Sequence, residues 1–226
     1  MRLQSKFILI LLAISIIPIA RKKIIQPKRA ESSNMTLIQL YQISPLGFMG
    51  GVISGMLLAA VYGLVPIYAA GLGLTVSEIG TLMAILIFGG FALQWPLGRW
   101  ADRSDRRKVL NWASFITALL GAALGLLHEG SLYLLYTLAA LFGGFSFTLY
   151  PLSMAYACER VKEEQIVAAT GGFVLSYGIG AIAGPILAPI AMELAGPGGL
   201  FYFLAASCLT LGLIGLKKPA PALLDD

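Results

Sequence analysis

Six apolar runs leave this chain little choice of fold: Leu46–Ala70, Ile79–Leu97, Val109–Leu127, Leu132–Cys158, Ile166–Met192 and Gly199–Leu216. None contains an Asp, Glu, Lys or Arg. At about 1.5 Å per residue, each is long enough to cross a hydrocarbon core of about 30 Å as a helix. A half-buried strand would need a polar residue at every second position, and no run has that alternation. Composition points the same way: 58% of residues are hydrophobic and 12% charged, whereas a soluble domain carries about 25% charge. The fold expected is an all-α integral membrane protein whose first partner is the lipid bilayer. Thr75-Val76-Ser77-Glu78 has the capping-box pattern and marks a helix start before the second of these runs.

The basic residues fix which connections share a side. The linker at 21–45 holds Arg21, Lys22, Lys23, Lys28 and Arg29, and the stretch at 98–108 holds five more. Arg160 and Lys162 follow the fourth long run, and Lys217 and Lys218 open the tail at 217–226. The alternate connections, around 71–78, 129 and 193–198, contain no Lys or Arg. Short loops rich in Lys and Arg stay cytoplasmic, so the linker, the 98–108 loop and the C-terminus are expected inside. A shorter run, Phe7–Ala20, precedes the linker. Cleavage there as a secretory signal would strand the basic linker outside and invert every later loop. Residues 1–20 are therefore read as a spanning helix whose beginning is missing or abbreviated, with Arg2 and Lys6 on the unfavoured side.

Several functions lack their parts. The chain has one histidine, His128, and two cysteines, Cys158 and Cys208, with no metal-ligand spacing among them. No metal and no cofactor are expected. No carboxylate pair and no His beside a Ser or Cys is available for acid–base or nucleophilic catalysis, so an enzyme is not expected. The net charge of +5 sits in the loops of a membrane protein rather than on a soluble basic face, and nucleic acid is not an expected partner.

Small and polar residues fall into patterns within the runs. Gly51-x3-Gly55, Gly121-x3-Gly125 and Gly180-x3-Gly184 place small residues one helical turn apart, where two backbones can approach closely. Pro66, Pro151, Pro185 and Pro189 are positions where a helix can bend. Ser146, Tyr150 and Ser153 follow i, i+4, i+7, with Tyr156 one turn on, while Thr170, Tyr177 and Gly184 share another face. Such stripes either line an aqueous cavity or hydrogen-bond between helices. Tyr62, Gln94, Tyr150, Ser153, Tyr156 and Tyr177 are the candidate cavity-lining groups, and Gly180, Gly184 and Pro185 the candidate packing or hinge group.

Between the second and third long runs stands Gly98-x3-Asp102-Arg103-x-Asp105-Arg106-Arg107. It resembles the loop signature of the major facilitator superfamily, G-x3-D-R-x-G-R-R/K, with Asp105 where the family usually has glycine. ISGMLLAAVYGLVPIY (53–68), FALQWPLGRWAD (91–102), FTLYPLSMAYACERV (147–161) and VLSYGIGAIAGP (174–185) are similar to the second half of its YcaD-like branch. The resemblance covers about 46–216. Full transporters of this family have two six-helix halves related by an axis along the membrane normal. In that frame residues 46–216 are the C-terminal six-helix bundle, 21–45 the central cytoplasmic loop and 1–20 the sixth helix.

The resemblance implies a secondary transporter of a small solute that works by alternating access. The loop aspartate, Asp102, would lock the outward-open state against a helix N-terminus of the opposite half, where the helix dipole favours an anion. Arg103, Arg106 and Arg107 would be its charge partners, and Gly98 would permit close helix contact. Gly180-x3-Gly184-Pro185 is similar to part of the family's antiporter signature, but in the second half, so antiport is not implied. About half of a transporter is missing. The chain is then a half that needs an N-terminal half or a second copy of itself, or else a truncated fragment or a non-transporting subunit that only binds a partner. Substrate, coupling ion and direction are not legible.

Overall fold

The computed structural model describes residues 35–127 and 131–217. The run at 7–20, most of the linker, the connection around His128 and Glu129 and the tail beyond Lys217 lie outside the described residues. Every regular element described is helical: α1 (Leu37–Ile43), α2 (Pro45–Gly71), α3 (Val76–Arg103), α4 (Arg106–Leu126), α5 (Leu132–Cys158), α6 (Ile166–Ala195) and α7 (Gly199–Leu216), with one 3-10 turn at Glu163–Gln165. The six from α2 to α7 are long and apolar enough to cross a membrane.

Local chemistry sets the helix boundaries. Thr75 Oγ1 accepts the Glu78 amide at 3.4 Å, and Glu78 Oε2 accepts the Thr75 amide at 2.8 Å, closing the capping box expected from the sequence. Thr36 and Gln39 close a second one at the start of α1, with no sequence expectation behind it. Pro45 stands in the first turn of α2, where its missing N–H costs nothing. Gly73 (φ 79°) and Gly196 (φ 70°) adopt left-handed backbone in the turns after α2 and α6, a conformation open to glycine without strain. The prolines at 66, 96, 151, 185 and 189 all lie inside continuous helices. None of them ends a helix.

The helices pack as a row, α3–α5–α2–α6, with α4 and α7 paired across one side of it. Glycine backbones make the two outer contacts of the row. A Cβ on Gly184 of α6 would lie 2.6 Å from Met56 O of α2, and Gly55 and Gly180 face Tyr177 O and Val52 O more closely still. Between α3 and α5 the same role falls to Gly89 and Gly143, which face Ala140 O and Leu86 O. That second crossing carries no Gly-x3-Gly spacing and was not foreseen. Behind the row the core is aromatic. Tyr68 and Phe201 stack edge-to-face at 4.8 Å, Phe142 and Phe201 at 5.4 Å, and Tyr68 donates to Leu124 O at 3.0 Å. Among the described residues no membrane-long helix packs on the other side of the row, and α3 and α6 are the least buried of the six.

Candidate functional site: a charged helix junction and an open tyrosine face

One end of the bundle gathers the ends of α3, α5 and α7 with the starts of α2, α4 and α6. Every Lys and Arg among the described residues lies there, from Arg99 to Lys217. The stretch read as a loop over 98–108 is mostly helix: α3 continues through Arg103 and α4 begins at Arg106, leaving Ser104 and Asp105 between them. The apolar run ends at Leu97, but the helix has water and charge available for its last turns and needs no further apolar residues. Arg103 in that last turn complements the negative end of the helix dipole.

Asp105 explains how this chain departs from the family's glycine. It is the N-cap of α4, its Oδ1 accepting the Arg107 amide at 2.9 Å. Asp and Gly are both accepted N-cap residues, so the exchange preserves the turn. Arg106 reaches two carboxylates, Asp102 Oδ1 through Nη2 and Glu159 Oε1 through Nη1, each at 2.8 Å. Arg107 points elsewhere. Its Nε donates to Gly215 O at 2.9 Å and its Nη2 to Lys217 O, capping the C-terminal carbonyls of α7. Of the three arginines expected around Asp102, Arg106 alone forms an ion pair with it among the described residues, and Arg103 is exposed. Gly98 was expected to allow a close helix contact; no atom comes within 4 Å of where its Cβ would stand.

That open space belongs to a cleft of about 180 Å³ between α3 and α5, lined by Gln94, Gly98, Asp102, Arg106, Thr148 and Pro151 among others. The α1 helix closes a different part of this end. Its Leu40 is fully buried against Ala157, Val161, Ala169 and Phe173, and Arg160 Nε donates to Ile43 O at 3.3 Å. Arg160 also lies over the Tyr156 ring, Cζ 5.3 Å from its centroid, and donates to the Tyr156 hydroxyl at 3.1 Å.

The open side of the row carries the tyrosines. Tyr62 of α2 meets Phe147 of α5 at 6.0 Å between ring centroids. Tyr150 of α5 meets Tyr177 and Phe173 of α6, each at 5.2 Å. At about 1.5 Å per residue, Tyr150, Tyr177 and Tyr62 stand about 12, 16 and 25 Å from the basic ends of their helices, well inside the apolar spans. Their hydroxyls have no hydrogen-bond partner among the described residues, whereas Tyr68, Tyr136 and Tyr156 each have one.

The remaining candidates fall elsewhere. Ser153 is fully buried against Gly50 of α2, its hydroxyl without a partner among the described residues. Tyr156 is also buried, at the charged end under Arg160. Gln94 is exposed on α3 and lines the cleft. Gly180 and Gly184 are the close contact with α2, and Pro185 is exposed on the same helix. Ser146 turns to its own helix, donating to Gly143 O at 3.3 Å. The residues missed were Glu159 and Phe147. A carboxylate following an apolar run beside a basic loop was the available signal for the first, and a phenylalanine three residues before Tyr150 gives no separable signal for the second.

The family model for the Major Facilitator Superfamily matches residues 47–224. The chain belongs to the major facilitator superfamily. An "Uncharacterized MFS-type transporter" of Yersinia enterocolitica is 38% identical over 179 residues, covering 77% of this chain and 44% of that protein. "Uncharacterized MFS-type transporter YcaD" of Escherichia fergusonii is 34% identical over 198 residues, covering 87% of this chain and 50% of its own length. YcaD of Salmonella paratyphi B is 35% identical over 193 residues, 84% of this chain and 49% of that one. The chain spans about half the length of these curated relatives. Family membership, six apolar helices and the absence of strands among the described residues together make it a multi-pass membrane protein with the architecture of one facilitator bundle.

Proposed function

We propose that this chain is the C-terminal bundle of a facilitator-type secondary transporter in a bacterial inner membrane, moving a small solute by rocking against a second six-helix bundle. The observation that carries the reading is the open tyrosine face. Three phenol hydroxyls without partners among the described residues, at membrane depth, are costly against lipid tails. A water-filled cavity or a facing bundle removes that cost. The α3–α5–α2–α6 side of the row is the side that faces it, and α4 and α7 stand behind.

The charged junction is the gate of that assembly. Asp102 lies at the C-terminal end of α3 beside the cleft of Gln94 and Gly98, and a helix N-terminus from the facing bundle fits there as its counter-charge. Arg106 then couples Asp102 to Glu159 at the end of α5, so the gate and the helix carrying Tyr150 move together. The basic end is cytoplasmic, by the excess of Lys and Arg.

The test joins this chain to the N-terminal bundle of the Escherichia fergusonii relative and compares it in liposomes with the chain alone. The liposomes are loaded with a mixture of small solutes and efflux is read by mass spectrometry. Efflux from the joined assembly only is expected. Efflux from the chain alone removes the need for a second bundle, and none from either removes the transport reading.

A further inference from the structure

We infer that Tyr62, Phe147, Tyr150 and Tyr177 form one side of a binding site for a bulky lipophilic organic cation with a delocalised charge. The inference rests on the reading of this face as a transport cavity and names what the cavity takes. Three observations support it.

The site is aromatic on three helices. Tyr150 and Tyr177 meet edge-to-face at an interplanar angle of 82°, and Tyr62 and Phe147 are tilted at 42°. Rings set at such angles present faces as well as edges, and the face of a tyrosine attracts a cation through its quadrupole. Phe147 and Tyr150 stand one turn apart on α5, so the two ring pairs adjoin and form one cluster.

The site has room. Gly63 and Gly178, next in sequence to Tyr62 and Tyr177, have no atom within 4 Å of where a Cβ would stand. Neither glycine adds bulk to the helix surface next to its tyrosine, and the open space there suits a flat or bulky apolar group.

This side of the site has no formal charge. Between Glu78 and Arg99 on α3, and throughout α2, α5 and the part of α6 before Glu193, there is no Asp, Glu, Lys or Arg. An anion would find no cation to pair with here. A compact ammonium would find no carboxylate to replace its water, and desolvating it is expensive. A cation whose charge is spread over aromatic groups loses little hydration and gains ring contacts, and the free phenol hydroxyls serve its polar substituents.

The probes are tetraphenylphosphonium and tetraphenylborate, ions of the same shape and opposite sign. Saturable binding of each to the full chain in lipid nanodiscs is measured above that of empty nanodiscs. Tetraphenylphosphonium is expected to saturate and tetraphenylborate not to. Tyr150→Leu and Tyr177→Leu should each weaken tetraphenylphosphonium binding about fivefold, the worth of one cation–π contact, while Tyr150→Phe and Tyr177→Phe stay within about twofold. Tyr133→Leu, an exposed position at the other end of α5, should bind as the parent does. Equal binding of the two ions, no saturable binding of the cation, or full binding by the leucine variants overturns the inference. If the leucine variants do not fold, the comparison of the two ions on the parent chain still decides it. Binding is read without flux, so a chain that binds the cation but supports no efflux in the joined assembly leaves this inference standing and removes the transport reading.

Discussion

Arg106 and Glu159 tie the start of α4 to the end of α5 through an ion pair of 2.8 Å, and the same guanidinium holds Asp102. Both carboxylates are half-exposed or more, and exposed pairs contribute about 0–1 kcal/mol each. The cluster is therefore a poor source of stability. Its value is positional, because it links the ends of α3 and α5 to the start of α4 beside the cleft.

Glu159→Gln should accordingly change the thermal midpoint of the detergent-solubilised chain by no more than the equivalent of about 1 kcal/mol. In the joined assembly the same substitution should reduce efflux severalfold. A large loss of stability with proportionate loss of efflux would make the pair structural, and unchanged efflux would remove it from the gate.

The position of Asp105 gives a sharper stability test. As the N-cap of α4, it accepts the Arg107 amide. Asp105→Ala should cost about 1 kcal/mol, whereas Asp105→Gly should cost only a few tenths, since glycine is itself tolerated at an N-cap. Chemical denaturation in mixed micelles measures both. No loss in the alanine variant would mean that the turn does not depend on its cap.

Arg107 caps the other end of a different helix, through Gly215 O and Lys217 O of α7. Arg107→Ala should fray the last turn of α7 and lower stability by about 1.5–3 kcal/mol, the range for a hydrogen bond to a charged group. Hydrogen exchange should localise the change to residues near Gly215. Arg107→Lys should restore part of it, because an ammonium reaches fewer carbonyls than a guanidinium fork.

Glycine at the α2–α6 crossing is required by space. Gly180 and Gly184 face Val52 O and Met56 O, and a side chain at either must push two backbones apart. Gly180→Val should destabilise the bundle by about 3 kcal/mol or prevent its assembly. Gly178→Val, two residues away and facing open space, is the matched control and should cost far less. A neutral Gly180→Val would show that the crossing is loose.

Much of this architecture was legible because the membrane leaves few options. Uncharged runs of helix length specify helices, and basic residues at alternate connections specify which ends share a side. Gly51, Gly55, Gly180 and Gly184 marked faces for close packing through their spacing, and the structure brings those two faces together. Gly89 and Gly143 do the same for α3 and α5, but each sits in a Gly-Gly pair, a pattern equally at home in a flexible segment. The polar stripe on α5 was read as one face, yet helix packing divides it: Ser146 and Ser153 turn into the bundle while Tyr150 reaches the open side. Small hydroxyls fit between close helices, and a phenol does not. Sequence spacing gives the angle around a helix but not which neighbour stands there. For the same reason Arg107 was assigned to Asp102, when the carbonyls left open at the end of α7 are the nearer demand.

The charge asymmetry gives the last prediction. Among the described residues all Lys and Arg lie at the end that carries Ser104, and the opposite end, which carries Ser131 and Glu78, has none. An excess of Lys and Arg keeps short loops cytoplasmic, so Ser104 should face the cytoplasm and Ser131 the outside. Single cysteines at these two positions, in a chain with Cys158→Ser and Cys208→Ala, report this directly. In intact cells an impermeant maleimide should label Ser131→Cys at once and Ser104→Cys only after the membrane is opened. The reverse pattern would invert the bundle, put the Asp102 cleft outside, and make a cytoplasmic gate at that junction impossible.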